Sequence, residues 1–223
     1  MSIKYEEIVP WGRNFDEYRR MFDLSDAELT QKILGCGDGP ASFNFECNSR
    51  GGNVVSIDPI YNLTQEQIQR RIDETCKEVL RQTACNKEKF IWNTITSVDE
   101  LGRIRLEAMK IFLDSYEAGK RDRKYIPGEL PYLPFADKAF DLALSSHFLF
   151  LYTDNLSYAF HAEAINEMLR VAGEIRIFPL LDVNGVKSPY VQKILADFKT
   201  KTIEIRKVNY EFQRGGNELL IIR

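Results

Sequence analysis

The nine residues Lys32-Ile-Leu-Gly-Cys-Gly-Asp-Gly-Pro40 constrain the fold of this chain more than any others. Ile33 and Leu34 read as a short buried strand, and glycines at every second position then carry the chain into a helix. Gly35, Gly37 and Gly39 have no Cβ, so the backbone there can take positive φ and lie directly against a ligand. Pro40 suits the first turn of the following helix, whose free N–H groups favour an anionic group. Strand, glycine turn and helix start in succession describe the crevice at the carboxyl end of an open parallel sheet. The same pattern also serves as a tight strand-to-helix turn with no ligand, so it needs support from elsewhere in the chain.

The spacing is Gly-x-Gly-x-Gly, not the Gly-x-Gly-x-x-Gly of dinucleotide binders. Leu34-Gly35-Cys36-Gly37-Asp38-Gly39 resembles the first motif of the class I S-adenosylmethionine (SAM)-dependent methyltransferases. The resemblance implies SAM as cofactor, held by Gly35, Cys36, Gly37 and Gly39. It also implies a three-layer α/β/α Rossmann-like fold, with a mostly parallel seven-stranded sheet ending in an antiparallel hairpin. Ile33 departs from the family, which usually has an acidic residue two positions before the first glycine.

Two further stretches fall in the family's order. Val54 to Asp58 reads as a strand with a carboxylate at its carboxyl end, 23 positions past Gly35. That is where one carboxylate accepts from both hydroxyls of a ribose, and Pro59 continues the wall; alone, an Asp at a strand end is usually a turn former. Gly128-Glu-Leu-Pro-Tyr-Leu-Pro-Phe135 resembles the family's Gly-Asp-x-x-x-Leu-Pro-Phe segment. The match puts Glu129 at the adenine amino group and Leu130 against the ring, while Pro131 and Pro134 keep the loop out of helix. The next strand, Phe140 to Ser145, leads to Ser146 on the cofactor side and to His147. His147 is either the general base for an attacking hydroxyl or amine, or a histidine hydrogen-bonded to backbone beside the cofactor. Phe148-Leu-Phe-Leu-Tyr152 then forms an aromatic substrate wall or packs beneath neighbouring helices.

Residues 1–30 read as an N-terminal helical cap. Asn14 precedes a helix carrying Phe15, Tyr18 and Phe22 on one face. Either it packs at the domain edge, or it folds over the cofactor so that Arg13 or Tyr18 meets its carboxylate. Residues 62–123 read as an inserted helical pair, opened by Thr64-Gln-Glu-Gln67 and Ser97-Val-Asp-Glu100. The pair is either a cover that supplies substrate contacts or a crossover helix with a packing helix. Lys120 to Lys124 reads as a solvated loop, Asp154-Asn155 as the start of a helix, and His161 as a surface residue of that helix. Two β-rich runs, 201–212 and 217–222, flank Gln213-Arg-Gly-Gly216 and predict a closing hairpin. A dehydrogenase sheet would continue through another crossover helix instead.

A chain of 223 residues suits a single domain with a substantial core. With 30 basic and 33 acidic residues it carries no electrostatic footprint for nucleic acid or an anionic membrane, which favours a small-molecule acceptor. Cys36, Cys47, Cys76 and Cys85 form no Cys-x-x-Cys pair, and with only two histidines they argue against a metal site or a disulfide framework. The polar start, Met1 to Ile8, and the shortness of the longest apolar run, Phe148 to Tyr152, lead us to expect a cytoplasmic protein. The expected activity is SAM-dependent methyl transfer to a partly apolar small molecule. A SAM-binding regulatory or scaffold protein is the alternative, and a nucleotide-dependent oxidoreductase is disfavoured by the glycine spacing and the hairpin.

Overall fold

Seven strands form one sheet in the order β3-β2-β1-β4-β5-β7-β6. The structure, a computed structural model, describes residues 2–5 and 7–223. The strands are β1 (Lys32–Cys36), β2 (Asn53–Ile57), β3 (Tyr125–Ile126), β4 (Phe140–Ser146), β5 (Ala172–Phe178), β6 (Ile203–Lys207) and β7 (Glu218–Ile222). The first five run parallel, and β7 lies antiparallel between β5 and β6. Strand order reverses between β1 and β4, so a crevice opens beyond their carboxyl ends.

Side-chain alternation along the strands feeds two cores. Ile33, Val54, Leu142, Leu144, Leu219 and Ile221 face helices α1 (Phe15–Met21) and α2 (Phe43–Ser49). Leu34, Ile57, Ala143, Ile175, Leu220 and Ile222 face α5 (Tyr158–Val171) and α6 (Tyr190–Asp197). Ile33, where the family usually has an acid, is thus a fully buried core residue. Between β2 and β3 run α3 (Gln65–Cys85) and α4 (Val98–Arg121). Helix α4 packs on α2 and β3, and α3 packs on α4. Ile68 and Ile72 of α3 meet Met109, Phe112 and Tyr116 of α4 in a third, smaller core.

Local signals set most boundaries. Asn14 and Glu17 make a reciprocal capping box at α1, as do Thr64 and Gln67 at α3. At α4, Ser97 Oγ accepts from the Glu100 N–H, but the Glu100 carboxylate reaches back to Thr96 instead. Helix α5 starts at Ser157, not at Asp154: the Ser157 hydroxyl accepts from the Phe160 N–H, and the chain before it is irregular. Of the charged run expected as a loop, Lys120 and Arg121 remain in α4.

Two further expectations are corrected. The closing strands are not joined by a tight turn: β6 ends at Lys207, and residues 208–217 form a long loop. Its side chains have better partners inside the molecule than across a hairpin ladder, since Tyr210 donates to the Glu17 carboxylate and Phe212 stacks on Phe90 at 5.0 Å. His161 is not a surface residue but fully buried, with Nδ1 2.8 Å from the Ser157 carbonyl and Nε2 2.9 Å from the Leu149 carbonyl. Among the described residues no helix is long and apolar enough to cross a membrane.

Candidate active site

A cavity of about 510 Å³ opens at the carboxyl ends of β1, β2 and β4. At its floor, Gly37 and Gly39 adopt φ of +70° and +53°, conformations in which a side chain is strained. The Gly37 N–H donates to the Ile57 carbonyl at 2.9 Å, and the Gly39 N–H donates to Asp58 Oδ2 at 2.8 Å. The other Asp58 oxygen accepts from the Ile60 N–H at 2.8 Å. Loop and carboxylate are therefore locked together as one wall.

Of the residues expected at the cofactor, Arg13, Gly37, Gly39, Asp58, Pro59, Glu129, Leu130 and Ser146 all line this cavity, and so does His147. Gly35 and Cys36 stand behind the wall. Cys36 is fully buried in the core beneath it, and Gly35 makes room for the Asp38 carboxylate, which lies against it. Asp38 itself lines the cavity, is 7% exposed, and accepts from Tyr18 Oη at 2.8 Å and Ser56 Oγ at 2.6 Å. Burial, first, and Asp58 nearby raise its pKa to about 6 against those two donors. Asp58 is also raised to about 6 by burial, with Glu129 adding to the rise and the Ile60 and Gly39 N–H groups opposing it.

The N-terminal segment crosses over the glycine loop and brings Arg13 to the cavity. Gly12 allows the crossing, because a Cβ there would lie 2.1 Å from the Pro40 carbonyl oxygen, and the Ser42 N–H donates to the Arg13 carbonyl at 3.1 Å. Tyr18 stacks on Phe43 at 4.4 Å and so ties α1 to α2. Arg13 Nη1 donates to the Trp11 carbonyl at 2.9 Å. Its Nε is buried without a hydrogen-bond partner.

Beside it, Arg105 of α4 is 1% exposed and ion-paired to Glu17 of α1. Glu17 also accepts from Tyr210 Oη at 2.8 Å and from the Asn14 N–H at 3.2 Å. Sequence reasoning missed this cluster, although Arg105 falls in helical register with Leu101, Ala108, Met109 and Phe112 on the buried face of α4. A charged residue in an apolar stripe was the available signal.

His147 sits at φ +51° immediately after β4, with its N–H on the Phe178 carbonyl at 2.6 Å. Nδ1 lies 3.0 Å from Ser146 Oγ. Burial, and then the positive charges of Arg13 and Arg105, hold its pKa well below the usual imidazole range, so the ring is neutral at pH 7. Apolar side chains, among them Ile8, Val9, Leu101, Leu151, Phe90 and Phe212, line the same cavity. Phe90 and Phe212 come from two separate loops joined by the Ile91 N–H on the Phe212 carbonyl at 2.7 Å. Among the described residues no cluster of histidine, cysteine or carboxylate side chains could hold a metal ion.

Strand order, glycine loop and the acidic corners at one sheet edge define a protein with the class I methyltransferase fold. No family model matches the chain. The chain belongs to one family with a protein of Methanocaldococcus jannaschii named "Uncharacterized protein MJ0045", to which it is 41% identical over 226 residues, covering 99% of this chain and 98% of that one. It is similar at 13% identity to the solved structure of a SAM-dependent methyltransferase from Aquifex aeolicus, covering 93% of this chain and 92% of that one with a TM-score of 0.42. Magnesium protoporphyrin IX methyltransferase from Synechocystis PCC 6803 with bound SAM is likewise 13% identical, with 94% and 90% covered and a TM-score of 0.45. The fold assignment rests on the strand order of this chain and takes nothing from these two likenesses.

Proposed function

We propose that this chain is a SAM-dependent methyltransferase acting on a partly apolar small molecule. The observation that carries the reading is that Gly37, Gly39, Asp58 and Glu129 line one cavity, in which the Gly39 N–H is bonded to Asp58 and which many apolar side chains also line. The residues fit the cofactor. At Gly39, φ +53°, a Cβ would meet only Asp58 Oδ2, at 4.0 Å, so the missing side chain leaves open space directly beside that carboxylate. Asp58, already fixed by two N–H groups, accepts from ribose hydroxyls. Glu129, exposed at the mouth, accepts from the adenine amino group, and Leu130 flanks the ring. Arg13 pairs its unpartnered guanidinium edge with the cofactor carboxylate.

When bound, the cofactor supplies an electrophilic sulfonium methyl. The chain's own contribution is alignment and exclusion of water, and well-oriented reactants gain roughly 7–11 kcal/mol from that source. His147, neutral at pH 7, also lines the cavity and can take a proton from an acceptor that arrives protonated.

Two measurements test the proposal. Calorimetric titration with S-adenosylhomocysteine (SAH) is expected to show binding, and NAD none. Incubation with methyl-labelled SAM and a metabolite extract is expected to label a small molecule. Binding without labelling across broad extracts would favour a regulatory binding protein, and no SAH binding at millimolar concentration would end the reading.

A further inference from the structure

Two arginines, Arg13 and Arg105, line the cavity, and one carboxylate, that of Glu17, is ion-paired with one of them. Arg105 Nη1 pairs with Glu17. The Glu17 oxygens are otherwise occupied by Tyr210 Oη and the Asn14 N–H. Arg13 donates to the Trp11 carbonyl, a neutral acceptor. Each arginine retains a buried Nε–H with no acceptor, and both side chains line the cavity. A buried donor left unmatched is costly, about 1–3 kcal/mol, more when charged.

The cofactor's carboxylate answers one of them, Arg13 in the reading above. Arg105 remains, on the same face of α4 as Leu101, one turn away and itself in the cavity wall. Its Nη1 is taken by Glu17, and its Nε–H finds no acceptor among the described residues. An oxygen of the acceptor molecule is the group that the geometry leaves for this N–H.

We propose that the methyl acceptor binds as an oxygen anion, a carboxylate or an acidic phenolic or enolic hydroxyl on an apolar body, with that oxygen at Arg105. This rests on the methyltransferase reading and names its substrate class. In the step, a lone pair of the anionic oxygen forms the new bond to the methyl carbon, and the pair of the breaking C–S bond stays on sulfur. One anion and one sulfonium cation thereby become a neutral ester or ether and a neutral thioether, and no proton need be moved. An amine acceptor would instead become cationic on methylation and lose the lone pair with which it could accept from the Arg105 Nε–H.

The test uses the whole chain saturated with SAH and three probes that share one ring system: naphthoate, naphthylmethanol and naphthylmethylammonium. Calorimetry is expected to rank the anion tightest, by about tenfold or more over each of the others. Equal or tighter binding of the alcohol or the ammonium overturns the proposal, as does failure of naphthoate to bind at millimolar concentration. The Arg105→Gln variant is expected to lose most of that preference with the Kd for SAH within about twofold. Should it fail to fold with Glu17 unpaired, the Glu17→Gln/Arg105→Gln pair removes both charges and is read the same way; a preserved anion preference in either overturns the proposal. Should neither variant fold, the ranking on the unaltered chain decides. SAH titration alone reports on the methyltransferase reading, so the two fail separately.

Discussion

The Asp38 carboxylate occupies the place a side chain on Gly35 would take: its Oδ2 lies 1.7 Å from an ideal Cβ there. Gly35 is thus required by a neighbour in its own chain rather than by a ligand. Gly35→Ala must expel Asp38 and leave the hydroxyls of Tyr18 and Ser56 without their acceptor. An unsatisfied buried group costs about 1–3 kcal/mol, so we expect a loss of roughly 3 kcal/mol or more in urea unfolding, with SAH binding abolished. Gly51→Ala is the control. A Cβ there meets nothing within 4 Å but sits at φ +89°, and backbone strain alone costs roughly 1–2 kcal/mol.

The raised carboxyls give stability and ligand affinity opposite pH dependences. Asp38 and Asp58 titrate near 3.8 when unfolded and near 6 when folded. Between those values the native state holds more protons, so the ligand-free protein loses stability as pH rises through this window. A ligand whose hydroxyls donate to Asp58 favours the ionised form, so SAH affinity is expected to rise with pH up to about 6 and then level off, by up to about tenfold per unit for each group involved. Thermal midpoints without ligand and Kd values with it, measured from pH 4.5 to 7.5, check both signs. Asp58→Asn should flatten most of the affinity curve.

What was legible in the sequence is what depends on backbone or on short reach. Gly37, Gly39 and Asp58 each answer a local demand, a positive φ or a strand end, and two of them are bonded to each other; Pro40, expected in the first turn of the next helix, lies instead in a turn ahead of the Ser42 cap, because α2 begins only at Phe43. The capping boxes at Asn14 and Thr64 are local in the same sense. The arginine cluster was not legible as a unit, because Arg105, Glu17 and Tyr210 are brought together only by packing α4 and the 208–217 loop against α1. His161 misled for a related reason. Its buried neighbours on α5, Ala164 and Ile165, lie on the helix face that covers the sheet, and the imidazole lies there between the carbonyls of Ser157 and Leu149, to one of which its N–H donates.

Glu129 separates cofactor recognition from folding. It is exposed at the cavity mouth, so Glu129→Gln is expected to leave the thermal midpoint unchanged. It should weaken SAH by about tenfold through loss of the charge-assisted hydrogen bond to the adenine amino group. Its charge also contributes to the raised pKa of Asp58, so the variant should move the affinity-versus-pH curve to lower pH. An unchanged Kd together with an unchanged curve would remove Glu129 from the site.

Phe212 tests whether the loop that replaces a tight hairpin selects the acceptor. Its ring stacks on Phe90 at 5.0 Å and meets Trp92 edge-on at 5.4 Å. Phe90 and Phe212 are apolar members of the lining of the cavity that Gly37, Asp58 and Glu129 also line. Phe212→Ala should therefore enlarge the acceptor chamber without touching the cofactor contacts. Because Phe212 is half-buried, the stability loss is expected at about 2 kcal/mol, below the 3–5 typical of a fully buried Phe→Ala. The Kd for SAH should stay within about twofold while naphthoate weakens by about tenfold through lost apolar contact. If both ligands weaken together, the loop supports the whole cavity. If naphthoate is unaffected, the apolar end is not where the acceptor's body lies, because removing a ring from that wall must be felt by whatever packs on it.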